Sequence, residues 1–253
     1  MDNYEKGDHL VMEQIKNQLH HSEKVIKEKD EYLDLLTQDL IEQLETLGGF
    51  FQIMYHHSGS LTKVEIEEFA SRMDISVKNM LLLVGNLKEW AALQKGEIEI
   101  KPEKIKLKDA VLENIDFFEH VANRKNITLI SLVDPSDYVM ADRDKLNYIL
   151  RNLISNGIKF TTIGGNVDIS ASRTGKMTEI IISDDGVGIP DKVIKKIFET
   201  ETPISTKGTA FERGNGYGLL SVKKLVEMNK GRLYIESIVY EGTKVILTLP
   251  SAD

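Results

Sequence analysis

Apolar residues in the first part of the chain recur at the spacing of an amphipathic helix. From Met12 to Met54 they fall three, four or seven residues apart, or at sums of these, and no proline interrupts them. A stripe that holds a 3.5-residue period over this length is typical of a coiled coil or helical bundle. Polar residues at Ser22, Lys29 and Gln43 interrupt the stripe, which is compatible with a marginally stable, signal-carrying helix and equally with ordinary sequence variation. The segment is therefore expected to need a partner helix.

A second helical pattern follows a run of turn residues from His56 to Ser60. Its apolar residues lie on one face between Phe69 and Ala91, and Gly96 is expected to end the helix as a C-cap glycine. One hairpin cannot bury both stripes, whereas two hairpins in a four-helix bundle can. The pattern therefore predicts a homodimer through this hairpin.

After Ile100 the pattern changes to a mixture of helices and strands. Helices are predicted at Lys108 to Asn123, Arg143 to Lys159, Asp191 to Phe198 and Gly218 to Asn229, and strands at Ile127 to Val133, Asn166 to Ala171, Glu179 to Ser183, Arg232 to Ser237 and Lys244 to Leu249. The strands gather late, which favours an antiparallel or mixed sheet with helices on one face. The predicted fold class is α+β, with a dimerising helical hairpin at residues 1–97 and a second domain at 98–253.

Composition narrows the possible partners of this 253-residue chain. A net charge of −8 without a basic cluster argues against binding to nucleic acid. The absence of cysteine excludes disulfides and thiolate metal sites, and it suits a cytoplasmic location. The longest apolar stretch, near Met80 to Val84, is far below the roughly 20 residues of a membrane helix, so no membrane insertion is expected of this chain. A fragment of a larger receptor would have the same features.

Three polar residues in the helix that leads to Lys159 have the spacing of ligand-binding groups. Asn152, Asn156 and Lys159 are separated by four and three residues, so they are expected to share one helix face. An amide oxygen can ligate magnesium and an ammonium can neutralise a phosphate, and a nucleoside triphosphate needs both. An ordinary solvated helix face is the alternative for these residues alone.

Two glycine-rich segments follow. The first, IISDDGVGIP, is a strand that ends at Asp184, whose carboxylate could accept a hydrogen bond from an exocyclic amine, while Gly186 and Gly188 allow a sharp turn close to a ligand. An ordinary turn is the alternative. The second, STKGTAFERGNGYGLL, places a G-x-G-x-G run before a helix, a pattern whose free backbone amides suit phosphates but which is weak evidence alone.

The fixed order of these segments is more specific than any one of them. NLISNGIKFT, DDGVGIP, the segment from Ile197 to Glu199, and STKGT followed by GNGYGLL resemble the four sequence boxes of the sensor histidine kinase catalytic domain. The resemblance covers residues 142–250. It implies the left-handed α/β sandwich shared with gyrase, a heat-shock chaperone and a mismatch-repair protein, and it implies ATP and Mg²⁺ as cofactors.

The resemblance also implies roles for individual residues. It assigns Asn156 as the magnesium ligand, Asn152 and Lys159 to the phosphates, and Asp184 to the adenine amine. The other implied nucleotide-site residues are Gly186, Gly188, Phe198, Thr206, Lys207, Gly214, Gly216 and Gly218, with Thr200 to Asn215 as a mobile lid. Gly157, Phe211 and Tyr217 depart from the usual residues of the family, but none of these departures removes a ligand atom.

The hairpin resembles the same family from Leu81 to Leu107, and this sets the register of the first helix. In that register Gln38, followed by Asp39, stands where the family has its phosphate-accepting histidine. The lone pair of a glutamine amide nitrogen is delocalised into the carbonyl, so it is no nucleophile, and Asp39 has no imidazole to activate. Glu42 stands at the position of a polar residue that, in related enzymes, assists dephosphorylation of a partner regulator. Its negative charge would repel a phosphoaspartate.

The sequence leaves two functions open. The first is an ATP-binding signalling module that does not phosphorylate itself at the usual position and that regulates a response regulator or another histidine kinase. The second is an active kinase that phosphorylates a histidine on a partner protein or at a non-standard site of its own. His56 lies 18 residues beyond Gln38, about 27 Å along a helix, which is too far to replace it without a large rearrangement. An engineered change at position 38 is disfavoured because Gln43 also replaces the family's proline.

Overall fold

The computed structural model describes residues 2–96, 98–199, 206–210, 212 and 216–252. The chain divides into two compact units, Met1–Glu42 and Gln43–Asp253. The first unit is the N-terminal part of one long helix. The second unit contains the remainder of the hairpin together with the sheet.

Each helix and strand predicted from the sequence is present, and two short strands are added. The described helices are α1 Asp2–His57, α2 Lys63–Lys95, α3 Leu107–Arg124, α4 Arg143–Phe160, α5 Asp191–Glu199 and α6 Gly218–Met228. The strands are β1 Glu103–Lys106, β2 Thr128–Ser131, β3 Tyr138–Ala141, β4 Asn166–Thr174, β5 Met177–Asp184, β6 Arg232–Ile238 and β7 Gly242–Pro250. Helix α1 thus begins earlier than the apolar pattern indicated. No helix within the described ranges has an apolar run long enough to cross a bilayer.

Both ends of α2 carry local capping interactions. At its N-terminus, Thr62 accepts a hydrogen bond from the N–H of Glu65, and the Glu65 carboxylate accepts one from the N–H of Thr62 at 2.8 Å, which forms a capping box. At its C-terminus, Gly96 has φ 67° and donates its N–H to the carbonyls of Ala92 and Leu93, which confirms the predicted C-cap. The bounds of α2 are thus encoded by adjacent residues.

The main sheet has the order β2-β4-β5-β7-β6, with β2 parallel to β4 and the other neighbours antiparallel. Alternate residues of the central strands, such as Ile169, Ile180 and Leu247, are fully buried in one core together with residues of α3, α4 and α6. This confirms the predicted α+β fold, with a mixed sheet and helices packed on it. Strands β1 and β3 form a separate antiparallel pair.

The C-terminal end of α2 packs on the same core as the sheet. Glu89 and Trp90 are buried, and the Glu89 carboxylate lies 2.7 Å from the Nζ of Lys145 on α4. The Trp90 ring meets the Tyr217 ring edge to face, with 6.1 Å between centroids. The second half of the hairpin therefore lies in one compact unit with the sheet, and the predicted domain boundary between residues 97 and 98 stays a prediction.

Replacing Lys145 with methionine should leave the buried Glu89 carboxylate without its cation. Removing one partner of a buried ion pair costs about 3–5 kcal/mol, so we expect the free energy of unfolding to fall by about 3 kcal/mol. Urea denaturation followed by circular dichroism measures this change. The control is Arg143→Met on the same helix, which breaks an exposed ion pair with Glu103 and should cost less than about 1 kcal/mol. Equal losses in the two variants would contradict the expectation.

Candidate nucleotide-binding site

Asn152, Asn156 and Lys159 all belong to helix α4. Because α4 is a continuous α-helix, their spacing places them on one face, as predicted. Asn152 is buried and donates its Nδ2 to the carbonyl of Tyr148 at 3.0 Å. Asn156 is half-buried, one turn further along. The Nζ of Lys159 donates to the carbonyl of Thr206 at 2.9 Å. One face of α4 therefore presents two amides and an ammonium.

The loop after β5 runs close to the end of α4 and needs its glycines. A Cβ on Gly186 would lie 2.4 Å from the carbonyl oxygen of Phe160, which no side chain tolerates. Gly188 has φ 69°, and a Cβ there would lie 2.2 Å from the carbonyl oxygen of Ile238. Both glycines that were singled out in the sequence are thus required by close backbone approach.

Asp184 ends β5 beside this loop, with its Oδ1 accepting the N–H of Gly186 at 3.0 Å. Burial raises the pKa of Asp184 to about 6, although hydrogen bonds from the backbones of Gly186 and Thr243 lower it, and the charge of Asp185 raises it further. A carboxyl group held this way is ionised at neutral pH and partly desolvated. It is suited to accept a hydrogen bond from a neutral N–H donor.

The N-terminus of α6 lies next to Asn152. Gly216 has φ 75°, Tyr217 is the N-cap residue, and Gly218 begins the helix. A Cβ on Gly218 would lie 2.5 Å from the Oδ1 of Asn152, so the glycine allows the two elements to approach. The free backbone amides of a helix N-terminus bind anions. Gly214 lies outside the described residues.

Thr206 and Lys207 are both exposed, and Thr206 contributes its carbonyl to Lys159. Phe198 belongs to α5, but its side chain lies outside the described part of the structure. Of the predicted lid, Thr200 to Asn215, the structure describes residues 206–210 and 212.

The predicted phosphate-accepting position lies in the other compact unit. Gln38 is exposed on α1 and Asp39 is half-buried. The histidines whose side chains the structure describes are His20, His56, His57 and His120, and all four are exposed.

Two residues near the site were not identified from the sequence. Asp185 accepts hydrogen bonds at 2.8 Å from both the backbone and the side-chain amide of Asn166, so it ties the start of β4 to the end of β5. The sequence feature that could have identified Asp185 was its position as the second carboxylate of DDGVGIP. Lys125, at the end of α3, inserts a buried ammonium at the C-terminal end of α4. Its partners lie 33 or more residues away, so no local pattern pointed to it.

The donor groups of this site fit a magnesium ion bound together with phosphates. Within the described residues, no group of three or more His, Cys, Asp or Glu side chains could hold a metal. A hard oxygen ligand on this face of α4 is the amide of Asn156, which lies between Asn152 and Lys159 in the sequence. Magnesium keeps several waters and is usually bound through only one or two carboxylates together with substrate phosphates, so few protein ligands are needed and an amide oxygen can be one of them.

Comparisons with known proteins relate this chain to a family of ATPases. Residues 141–253 match the family described as histidine kinase-, DNA gyrase B-, and HSP90-like ATPase. A sensor-like histidine kinase of Rhizobium meliloti is 29% identical over 233 residues, which cover 91% of this chain and 44% of that protein. The chain spans less than half the length of the curated relatives it matches.

Solved structures show the same fold. The catalytic domain of histidine kinase ThkA has a TM-score of 0.52 at 25% identity and covers 59% of this chain and 95% of its own. Histidine kinase ThkA in complex with the response regulator protein TrrA has a TM-score of 0.55 at 21% identity and covers 88% of this chain and 61% of that one. Residues 141–253 therefore form an ATPase domain of the histidine kinase, DNA gyrase B and HSP90 type, and the chain as a whole is similar to the core of sensor histidine kinases.

Proposed function

We propose that this chain is an ATP-binding signalling module of a two-component system that does not phosphorylate itself at the usual position. The observation that carries the proposal is Gln38, which occupies the phosphate-accepting position in the register set by the resemblance of Leu81 to Leu107. The nucleotide site supports ATP binding, whereas the side chain that should receive the phosphate has no nucleophilic atom. The partner is a response regulator or another histidine kinase.

Each residue of the site has a role in this proposal. Asp184 accepts a hydrogen bond from the adenine amine, and the loop at Gly186 forms a wall for the base. Asn156 ligates Mg²⁺, which neutralises phosphate charge when it is bound. Asn152 and Lys159 contact the phosphates. The remaining contacts come from Gly188, Phe198, Thr206, Lys207, Gly214, Gly216 and Gly218.

The residues around Gln38 also disfavour dephosphorylation of a partner regulator. Asp39 is a base without a histidine beside it, and Glu42 presents an exposed carboxylate one helical turn beyond Gln38. A phosphoaspartate on a regulator carries negative charge, so Glu42 would repel it. The position is therefore unsuited both to accepting a phosphate and to removing one.

A module that does not transfer phosphate still needs contacts through which nucleotide binding changes the structure of the hairpin. The contact between Trp90 and Tyr217 supports such a coupling, because Tyr217 lies between two glycines proposed to hold phosphates. The ion pair of Glu89 with Lys145 connects the same turn of α2 to the helix that carries Asn156. Nucleotide binding that shifts the start of α6 would thus change the packing of α2.

The hairpin also offers a surface for a second copy of the chain. Within the second compact unit, large apolar side chains remain 41–59% exposed along α1 and α2, at Leu44, Phe51, Val77, Leu81 and Val84. Their spacings of seven, four and three residues place those of each helix on one face. We propose that a second hairpin covers these exposed faces of α1 and α2 in a homodimer.

The second candidate function is an active kinase that phosphorylates a histidine on a partner protein or at a non-standard site. The observation that favours it is the intact set of predicted ligand residues on α4, β5 and α6. Incubation with γ-labelled ATP, alone and with candidate histidine-containing proteins, separates the two functions. Acid-labile label on this chain would overturn the first candidate, and label on a partner alone would establish the second.

Replacing Asn156 with alanine should remove the protein ligand of the magnesium ion. We expect the affinity for ATP in the presence of Mg²⁺ to fall at least about tenfold, since a hydrogen bond or ligand to a charged group is worth about 1.5–3 kcal/mol. Calorimetric titration with and without Mg²⁺ measures the difference. Asn147→Ala makes the same change on α4 at a side chain that faces Asn114, and magnesium dependence should persist in that variant.

The affinity for adenosine should depend on pH through Asp184. Because the pKa of Asp184 is raised to about 6, the group is ionised and able to accept from the base at pH 7.5. As pH falls below 6 it becomes protonated, and affinity should fall up to about tenfold per pH unit. Adenosine is used because it carries no titrating phosphate. Asp184→Asn should bind more weakly and lose this dependence, whereas an identical pH profile in the variant would exclude Asp184 as its origin.

Replacing Gln38 with histidine should restore an attacking nitrogen beside Asp39. We expect the variant to incorporate acid-labile label from γ-labelled ATP, because an imidazole lone pair can attack phosphorus and a carboxylate can accept its proton. Gln38→Asn is the matched control and should remain unlabelled. Adding Asn156→Ala to the histidine variant should abolish the label. A histidine variant that stays unlabelled while binding ATP would show that the catalytic half does not transfer phosphate.

A further inference from the structure

The ammonium of Lys125 lies in a pocket of acceptors that the proposed nucleotide contacts do not use. Its side chain is only 9% exposed. Its Nζ lies 2.7 Å from the carbonyl of Ile158, 3.1 Å from the carbonyl of Lys159, 2.7 Å from the Oγ1 of Thr209 and 3.1 Å from the Oε1 of Glu212. A buried lysine is costly unless it is paired and hydrogen-bonded. Here one ammonium joins α3, α4 and the segment 206–212.

The location of this ammonium is electrostatically specific. Ile158 and Lys159 are in the last turn of α4, where carbonyl groups lack partners within the helix and the helix dipole is negative. Thr209 lies at the same end, since its N–H donates to the carbonyl of Lys159 at 3.0 Å and its hydroxyl donates to the carbonyl of Thr161 at 2.7 Å. Lys125 and Thr209 therefore complete the C-terminus of α4 together.

The described part of the segment 206–212 folds around Lys159. Thr206 accepts the hydrogen bond of the Lys159 ammonium. A Cβ on Gly208 would lie 2.6 Å from the Cγ of Lys159, so the backbone packs directly on that side chain. Glu212 closes the turn, because its carbonyl accepts the N–H of Gly208 at 2.9 Å and its Oε2 accepts the N–H of Ala210 at 2.8 Å. The acidic group that binds Lys125 is thus also the group that holds the turn.

We propose that Lys125 is a positioning residue for the phosphate end of the nucleotide site. By holding Thr209 and Glu212 on the end of α4, it keeps the segment 206–212 around Lys159 and fixes that ammonium before ATP arrives. An ammonium has three N–H donors, so one that holds a carbonyl can also donate to a phosphate. Preorganisation of this kind raises affinity, since ordering the segment would otherwise cost free energy at binding. The inference rests on the proposed ATP site.

A purely structural role for Lys125 and a positioning role predict different effects on the binding of ATP and adenosine. Asp184 accepts hydrogen bonds from the backbones of Gly186 and Thr243. The hydrogen bonds of Lys125 go to other residues, on α4 and in the segment 206–212. Loss of the Lys125 contacts should therefore weaken ATP, which carries phosphates, and leave adenosine unchanged. General loosening of the domain would weaken both ligands together.

The experiment measures the dissociation constants of ATP with Mg²⁺ and of adenosine by calorimetry for Glu212→Gln and Thr209→Val. Both variants leave Lys125 in place, and we expect each to weaken ATP about three- to tenfold without changing adenosine. Glu103→Gln, the same chemical change at the other end of α4, should leave both constants unchanged. Thr209→Ser keeps the hydroxyl and should retain the affinity for ATP.

A double-mutant cycle tests Lys125 itself. In a folded Lys125→Met variant, adding Glu212→Gln should weaken ATP by less than about twofold further, because the contact is already lost. Unchanged ATP affinity in both Glu212→Gln and Thr209→Val, or equal weakening of ATP and adenosine, would overturn the inference and leave the proposed function intact. Absence of ATP binding by the unchanged chain would overturn both.

Discussion

An α-helix leaves the last four of its carbonyl groups without partners inside the helix, and in α4 these carbonyls hold together the elements that surround the proposed nucleotide site. The ammonium of Lys125 covers Ile158 and Lys159, and the N–H of Val187 donates to the carbonyl of Phe160 at 3.1 Å. Thr209 donates its N–H to the carbonyl of Lys159 and its hydroxyl to the carbonyl of Thr161, just beyond the helix end. One helix end thus fixes the end of α3, the loop after β5 and the segment before α6, which come from distant parts of the sequence.

The two neighbouring carboxylates at the end of β5, Asp184 and Asp185, have different roles. Asp185 is occupied by two hydrogen bonds from Asn166, and it therefore ties strands together. Asp184 is partly buried and carries a raised pKa of about 6, so its charge is held in a less polar environment. A Cβ on Gly242 would lie 1.9 Å from the carbonyl oxygen of Asp184, which shows how closely β7 packs beneath this residue. The pair has one structural member and one member suited to a ligand.

Most of the fold was predictable, because it is encoded in short-range patterns. The spacing of Asn152 and Lys159 follows from the helical period, and Gly96 and Gly188 have positive φ values where the sequence placed turns. Strands β1 and β3 were missed because four residues give too few alternations to distinguish a strand from a loop. Lys125 was missed for another reason: its acceptors become neighbours only when the chain is folded, and a lone lysine in a sequence resembles any surface lysine.

The packing of α2 has a consequence for fragments of this protein. Glu89 and Trp90 precede Gly96, yet they contact Lys145 on α4 and Tyr217 at the start of α6. A fragment that began after Gly96 would uncover Tyr217 and remove the carboxylate that pairs with the Lys145 ammonium. In this chain the packed surroundings of α4 and α6 therefore extend back into the last turns of the hairpin, and a shorter fragment would lack part of them.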